Sequence, residues 1–120
     1  YEIHRQEEGT VMVVGFELNG QSYTALNGGP LFKFNESVSF QVYCENQEEI
    51  DYYWDKLTEG GEESYCGWLK DKYGLSWQVV PSVLSELMSD ATKAGKVTNA
   101  FMQMRKFDIA KLIEAAGTSI

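Results

Sequence analysis

The sequence predicts an α+β fold. Three observations carry this expectation: two extended runs meet at Asn19-Gly20, a strand-helix-strand-strand order follows, and the residues beyond Pro81 turn helical in period. Helices do not alternate with strands, so a doubly wound parallel sheet is not expected. At 120 residues the chain is long enough for one compact domain and too short for two of ordinary size.

Thr10 to Leu18 is β-branched and apolar on both faces, and Gln21 to Asn27 resumes an extended pattern. Asn19-Gly20 between them is a strong hairpin signal, because both turn positions need φ > 0. Gly28-Gly29-Pro30 then breaks the strand. In Ser37 to Glu45, Val38, Phe40, Val42 and Cys44 point one way while Ser37, Ser39, Gln41 and Tyr43 point the other. Asn46 can cap the next helix, with Glu49 three residues on as in a capping box. Ile50, Tyr53, Trp54 and Leu57 fall at i, i+3, i+4 and i+7, the spacing that packing on a sheet requires, so this stripe reads as core rather than as a ligand cage. Gly60-Gly61 ends the helix.

Two more strands are expected, Glu62 to Lys70 and Leu75 to Val80, joined by Asp71-Lys72-Tyr73-Gly74. In the second, Leu75, Trp77 and Val79 share one face and Ser76, Gln78 and Val80 the other. Pro81 closes it. Val97, Phe101 and Met104 form one helical stripe, and Asp108 caps another holding Ile109, Leu112, Ile113 and Ala116. A sheet with helices on its apolar face and Ser and Gln on the other is one that curls round something wet.

Composition narrows the function. With 18 acidic against 10 basic side chains the net charge is −8, which repels phosphate backbones and anionic headgroups, so nucleic acid and membrane are not expected partners. No apolar run approaches the ~20 residues of a membrane span. The first residues carry no signal-peptide pattern, which gives a cytoplasmic expectation. Cys44 and Cys66 sit in no CxxC pattern, so zinc-ribbon and thioredoxin readings fail. His4 is the single histidine, against both a His-rich metal site and a Ser-His-Asp triad.

Leu26-Asn27-Gly28-Gly29-Pro30, Ser37 to Glu45, Trp54-Asp55-Lys56-Leu57, Cys66-Gly67-Trp68-Leu69 and Asp71-Lys72-Tyr73-Gly74-Leu75-Ser76-Trp77-Gln78 occur in that order. Together they resemble the PhnB-like branch of the glyoxalase/bleomycin-resistance/dioxygenase superfamily, the vicinal oxygen chelate proteins. This branch often carries the label "demethylubiquinone methyltransferase-like". The resemblance runs from about Thr10 into the helical tail, and Gly74 to Pro81 is its most specific part. It implies paired βαβββ modules whose curved sheets form a cup, usually completed by a homodimer. Residues 1–120 would then be one such domain. Residues 37–80 would be a complete second module, 1–27 only the last three strands of the first, and 81–120 a helical tail. The first strand and helix of the first module are not found in these residues, which implies either an N-terminal stretch outside them or a shortened variant.

Metal-dependent members of the superfamily place a His where this chain has Ser37 and a Glu where it has Gln78. The corresponding last-strand position of the first module falls near Asn27. These neutral side chains cannot balance a divalent cation, so neither a metal nor any other cofactor is expected. The methyltransferase label is not supported by the residues either. Gly28-Gly29-Pro30 follows a strand, but proline stops the helix that would receive the charge of S-adenosylmethionine, and no acidic ribose partner is evident.

The polar-face set remains. Ser37, Ser39, Gln41, Ser76 and Gln78, with Asn27 and Trp68, are the expected ligand-binding residues for an unidentified small molecule. The alternative is a metal-dependent lyase or dioxygenase-type enzyme with atypical ligands; a ligandless dimeric scaffold is a third reading. No catalytic residue is assigned. Cys66 reads as a small thiol on a strand beside a packed aromatic, since no neighbouring Lys, Arg or His lowers its pKa. Cys44 reads as core, His4 as a solvated surface group, and Glu17 as an exposed strand end.

Overall fold

The computed structural model describes residues 3–5 and 11–117. The chain divides between Lys33 and Phe34 into two compact units. The first contains β1 (Ile3–Arg5), β2 (Val11–Leu18) and β3 (Gln21–Leu26), an antiparallel sheet in that order. The hairpin forms where Asn-Gly predicts it. Asn19 and Gly20 have φ of 52° and 80°, and Leu18 pairs with Gln21. Phe16 and Tyr23, directly opposite in the ladder, stack at 5.5 Å. Glu17 is exposed, as expected for a strand end. His4 pairs through its backbone with Val13; the expectation about its side chain lies outside the described residues.

The second unit runs β4 (Ser39–Cys44), α1 (Gln47–Thr58), β5 (Glu62–Glu63), β6 (Trp68–Lys70) and β7 (Ser76–Pro81). Three helices follow, α2 (Val83–Ser89), α3 (Ala91–Phe101) and α4 (Ile109–Ala115). The architecture is α+β. Its sheet has the order β4-β7-β6-β5, with β4 parallel to β7 and the remaining pairs antiparallel. The parallel pair needs a crossover, which α1 supplies.

The start of α1 follows its sequence signals. The Asn46 side chain accepts from the Glu49 amide at 2.9 Å, and the Glu49 carboxylate accepts from the Glu45 amide at 2.6 Å, one residue earlier than in the standard capping box. Ile50 and Trp54 are buried against the sheet and Leu57 is half-buried. Tyr53 departs from the expected stripe. It is 39% exposed and packs edge-on against Tyr52 at 5.3 Å, because at the rim of the helix face its ring meets solvent rather than strand. Trp54 donates its indole N–H to Glu63 at 2.9 Å, which satisfies the one polar group its burial would otherwise orphan.

The stretch from Glu62 to Lys70, expected as one strand, is a hairpin. Glu62 pairs with Lys70 and Glu63 with Leu69, and residues 64–67 turn between them. Cys66 and Gly67 take φ of 60° and 78°, conformations no strand accommodates. The turn is held from a distance: the Cys66 and Gly67 amides donate to the carbonyls of Met104 (2.7 Å) and Arg105 (2.8 Å). Gln47 holds the same C-terminal stretch from α1. Its amide nitrogen donates to the Phe107 carbonyl and its amide oxygen accepts from the Ile109 N–H, both at 2.9 Å. Val97, Phe107, Leu112 and Ala116 consequently share one core with Cys44, Ile50, Trp54, Leu69 and Val79. Asp90 and Asp108 cap α3 and α4 through their side chains. No helix among the described residues is long and apolar enough to cross a membrane.

Candidate functional site

Register alone places the polar side chains. Because paired residues in neighbouring strands point to the same side, the pairings Glu62–Lys70, Lys70–Ser76 and Ser76–Ser39 define a row across all four strands. A second row on that face runs Trp68–Gln78–Gln41. The opposite face carries Leu69, Trp77 with Phe40, and Val79 with Val42, and it packs under α1. Five expected ligand-binding residues, Ser39, Gln41, Ser76, Gln78 and Trp68, thus share one sheet face.

Two do not join them. Ser37 precedes β4 in a turn, where its amide (2.9 Å) and hydroxyl (2.5 Å) both donate to the Asn35 side chain. That local turn competes successfully with strand extension, so Ser37 is exposed and outside the sheet. Asn27 belongs to the first unit, where its side-chain N–H₂ donates to the Val11 carbonyl at 2.8 Å and its backbone N–H to that of Met12.

On the shared face Gln78 donates to the Ser39 hydroxyl at 2.8 Å, and Tyr43 donates to the Gln41 side chain at 2.5 Å. Ser76 differs from both. It is 0% exposed, and its hydroxyl oxygen has no hydrogen-bond partner. An orphaned buried hydroxyl costs about 1–3 kcal/mol, so its persistence asks for an explanation. Ser76 lines a cleft of about 460 Å³ together with Trp68, Cys66, Glu36, Glu62 and Lys70, a volume suited to a small organic molecule. The Lys70 ammonium lies 2.7 Å from Glu36. That hydrogen bond, reinforced by the opposite charge, lowers the Glu36 pKa and raises that of Lys70, with Glu62 adding to the latter.

Sequence reasoning missed Glu36, Glu62 and Lys70. Lys70 is two residues from Trp68 and shares its face, a signal the period-2 pattern contains. Glu62 joins the row only through the hairpin, which the single-strand reading hid. Cys66 is not on a strand but in the turn, half-buried, with its sulfur 3.8 Å from that of Met102. Cys44 is core: it is 1% exposed and burial pushes its thiol up to about 11, with Glu49 contributing.

A model of the family described as 3-demethylubiquinone-9 3-methyltransferase matches residues 2–80. The chain belongs to this family. It is the PhnB-like branch of the glyoxalase/bleomycin-resistance/dioxygenase superfamily. A PhnB protein from Bacillus cereus is 34% identical, with a TM-score of 0.63 over 68% of this chain and 78% of its own. Protein PA1353 from Pseudomonas aeruginosa shares the fold at 15% identity, with a TM-score of 0.52 over 65% and 68% of the two chains. No curated protein matches. The family match stops at β7, so α2 to α4 lie beyond it.

PhnB-like membership implies two groups to test against the residues. The superfamily's divalent metal does not fit: Ser37 and Asn27 are committed to local hydrogen bonds, Gln78 turns its amide to Ser39, and none offers an imidazole or carboxylate. Among the described residues no three His, Cys, Asp or Glu side chains gather to hold a metal ion. A methyl donor of the S-adenosylmethionine type does not fit Gly28-Gly29-Pro30 either, because that turn leads into coil and no helix N-terminus follows it before Asn46.

Proposed function

We propose that this PhnB-like protein binds a small molecule, without a metal, on the polar face of the β4-β7-β6-β5 sheet. The observation that carries the reading is Ser76, a buried hydroxyl with no partner at the wall of a cleft of about 460 Å³. Ser39, Gln41, Gln78 and Trp68 extend the same face and supply neutral donors and acceptors plus one large ring. Small polar side chains keep such a surface open while fixing the orientation of what lies on it.

The cup is completed by a second copy of the chain. β4 is an edge strand, and Phe34, Val38 and Tyr43 beside and on it are 62%, 64% and 63% exposed. Open edges flanked by apolar side chains invite pairing, and a two-fold axis is the simplest closure. The unpaired Cys44 and Cys66 suit the reducing cytoplasm, where we place the protein.

A thermal-shift screen of a broad metabolite library tests the binding reading, since a ligand of the native state raises the melting temperature by mass action. Hits are expected to perturb the amide resonances of Ser76, Gln78 and Trp68. A silent library, or hits that map elsewhere, would overturn it. Light scattering at micromolar concentration tests the assembly, and a monomeric mass would count against the homodimer.

A further inference from the structure

Resting on that reading, the row Glu62–Lys70–Ser76 also specifies the chemistry of the ligand. Glu62 and Ser76 are the cross-strand neighbours of Lys70 on either side, and Glu36 holds the Lys70 ammonium at 2.7 Å. Both members of this ion pair are substantially exposed, with side chains 39% and 62% accessible, so exchanging the lysine for another cation costs little. The wall recruits a second cation of the chain as well: Arg105 lies 4.5 Å over the ring of Tyr65, a cleft residue, and donates to the Glu63 carbonyl. Acidic side chains outnumber basic ones among the lining residues, which disfavours a carboxylate or phosphate there.

We propose that the cleft takes a small organic cation, an amine, amidine or guanidine, which displaces the Lys70 ammonium from Glu36 and hydrogen-bonds to the Ser76 hydroxyl. Lys70 is then an internal stand-in that occupies the cationic position while the cleft is empty of ligand. Moving it aside gives access to Ser76, its neighbour on the same face. The buried hydroxyl without a partner is the independent observation: it marks where the ligand's polar group is received.

Benzamidine, benzamide and benzoate share a shape and differ in charge, so they test the proposal directly by amide chemical-shift titration. Benzamidine is expected to perturb Ser76, Lys70 and Trp68, benzamide to bind about fivefold more weakly, and benzoate not at all. Lys70→Met removes the competitor and is expected to tighten benzamidine binding about threefold to fivefold, whereas Glu36→Gln and Ser76→Ala weaken it by a similar factor. Ser76→Ala removes an orphaned hydroxyl and leaves folding intact, which keeps that arm readable. Benzamide or benzoate binding as tightly as benzamidine at these residues, or weaker benzamidine binding in Lys70→Met, would overturn the cation assignment while leaving small-molecule binding in place. If all three probes are silent and a metabolite from the screen still maps to the face, the cation assignment alone fails. If the screen is silent too, the binding reading fails with it.

Discussion

Gly67→Ala probes the contact that ties the site to the C-terminal helices. Gly67 has φ of 78°, in the left-handed region, where an alanine costs about 1–2 kcal/mol. Its added Cβ would overlap the ring of Phe107 and stand 2.8 Å from the Val79 carbonyl oxygen. Phe107 is 2% exposed, so its ring cannot swing into solvent, and overpacking of this kind costs a further ~1–3 kcal/mol. The expected loss is therefore ~2–5 kcal/mol, a large part of the ~5–15 kcal/mol that holds a typical domain. Urea denaturation followed by tryptophan fluorescence measures it, with the midpoint falling and the slope retained. Cys66→Gly is the companion variant. It relieves the positive φ of 60° at Cys66 itself and is expected to stabilise by ~1 kcal/mol. A loss below ~1 kcal/mol in Gly67→Ala would refute the close packing of this turn against Phe107.

Trp54→Ala is expected to cost ~3–5 kcal/mol by denaturation, since it empties the space under α1 and unpairs Glu63. Gln47→Ala removes both hydrogen bonds to the Phe107–Ile109 stretch, and a loss of ~1–3 kcal/mol with faster exchange of the Ile109 amide proton is expected. In native protein a thiol reagent should titrate one cysteine, half-buried Cys66, and in denaturant both. The Cys44 thiol is held at about 11 in the fold against 9.0 unfolded, so its contribution to stability is full below pH 9 and is lost as pH rises through about 11. Comparing the alkaline limb of the stability curve with that of Cys44→Ala isolates this term.

How far the sequence could be read depended on how local each signal was. β4, α1 and the first hairpin were legible because alternation, an Asn cap and an Asn-Gly turn are all encoded within a few residues. The β5–β6 hairpin was not. Its turn carries only Gly67 as a local marker, and its hydrogen bonds come from residues 104 and 105. Period 2 brought Ser39, Gln41, Ser76 and Gln78 to one face correctly, since strand parity survives small boundary errors. Ser37 was overextended into β4 because nothing in alternation reveals that Asn35 would capture its hydroxyl. Glu36 and Glu62 enter the cleft through a turn and a register that only the folded chain defines.

The two ends of the polar face differ in kind, and the difference gives the face a direction. Toward β5 it presents Glu62 and Lys70, with Glu36 brought against the lysine; toward β4 it presents Ser39, Gln41 and Gln78, all uncharged. Gln78 spends an N–H on the Ser39 oxygen, so the Ser39 hydroxyl proton must find its acceptor elsewhere, and the Gln41 oxygen already accepts from Tyr43. What this half offers an incoming group is therefore neutral donors and acceptors, the Ser39 proton among them, whereas the β5 half offers carboxylate. A ligand lying across the strands meets charge recognition at one end and hydrogen-bond recognition at the other, with Ser76 at the junction. Under the proposed reading, such a polarity would orient a cationic ligand without a metal, because two unlike ends cannot be exchanged without burying a cation among neutral amides or leaving a carboxylate unpaired.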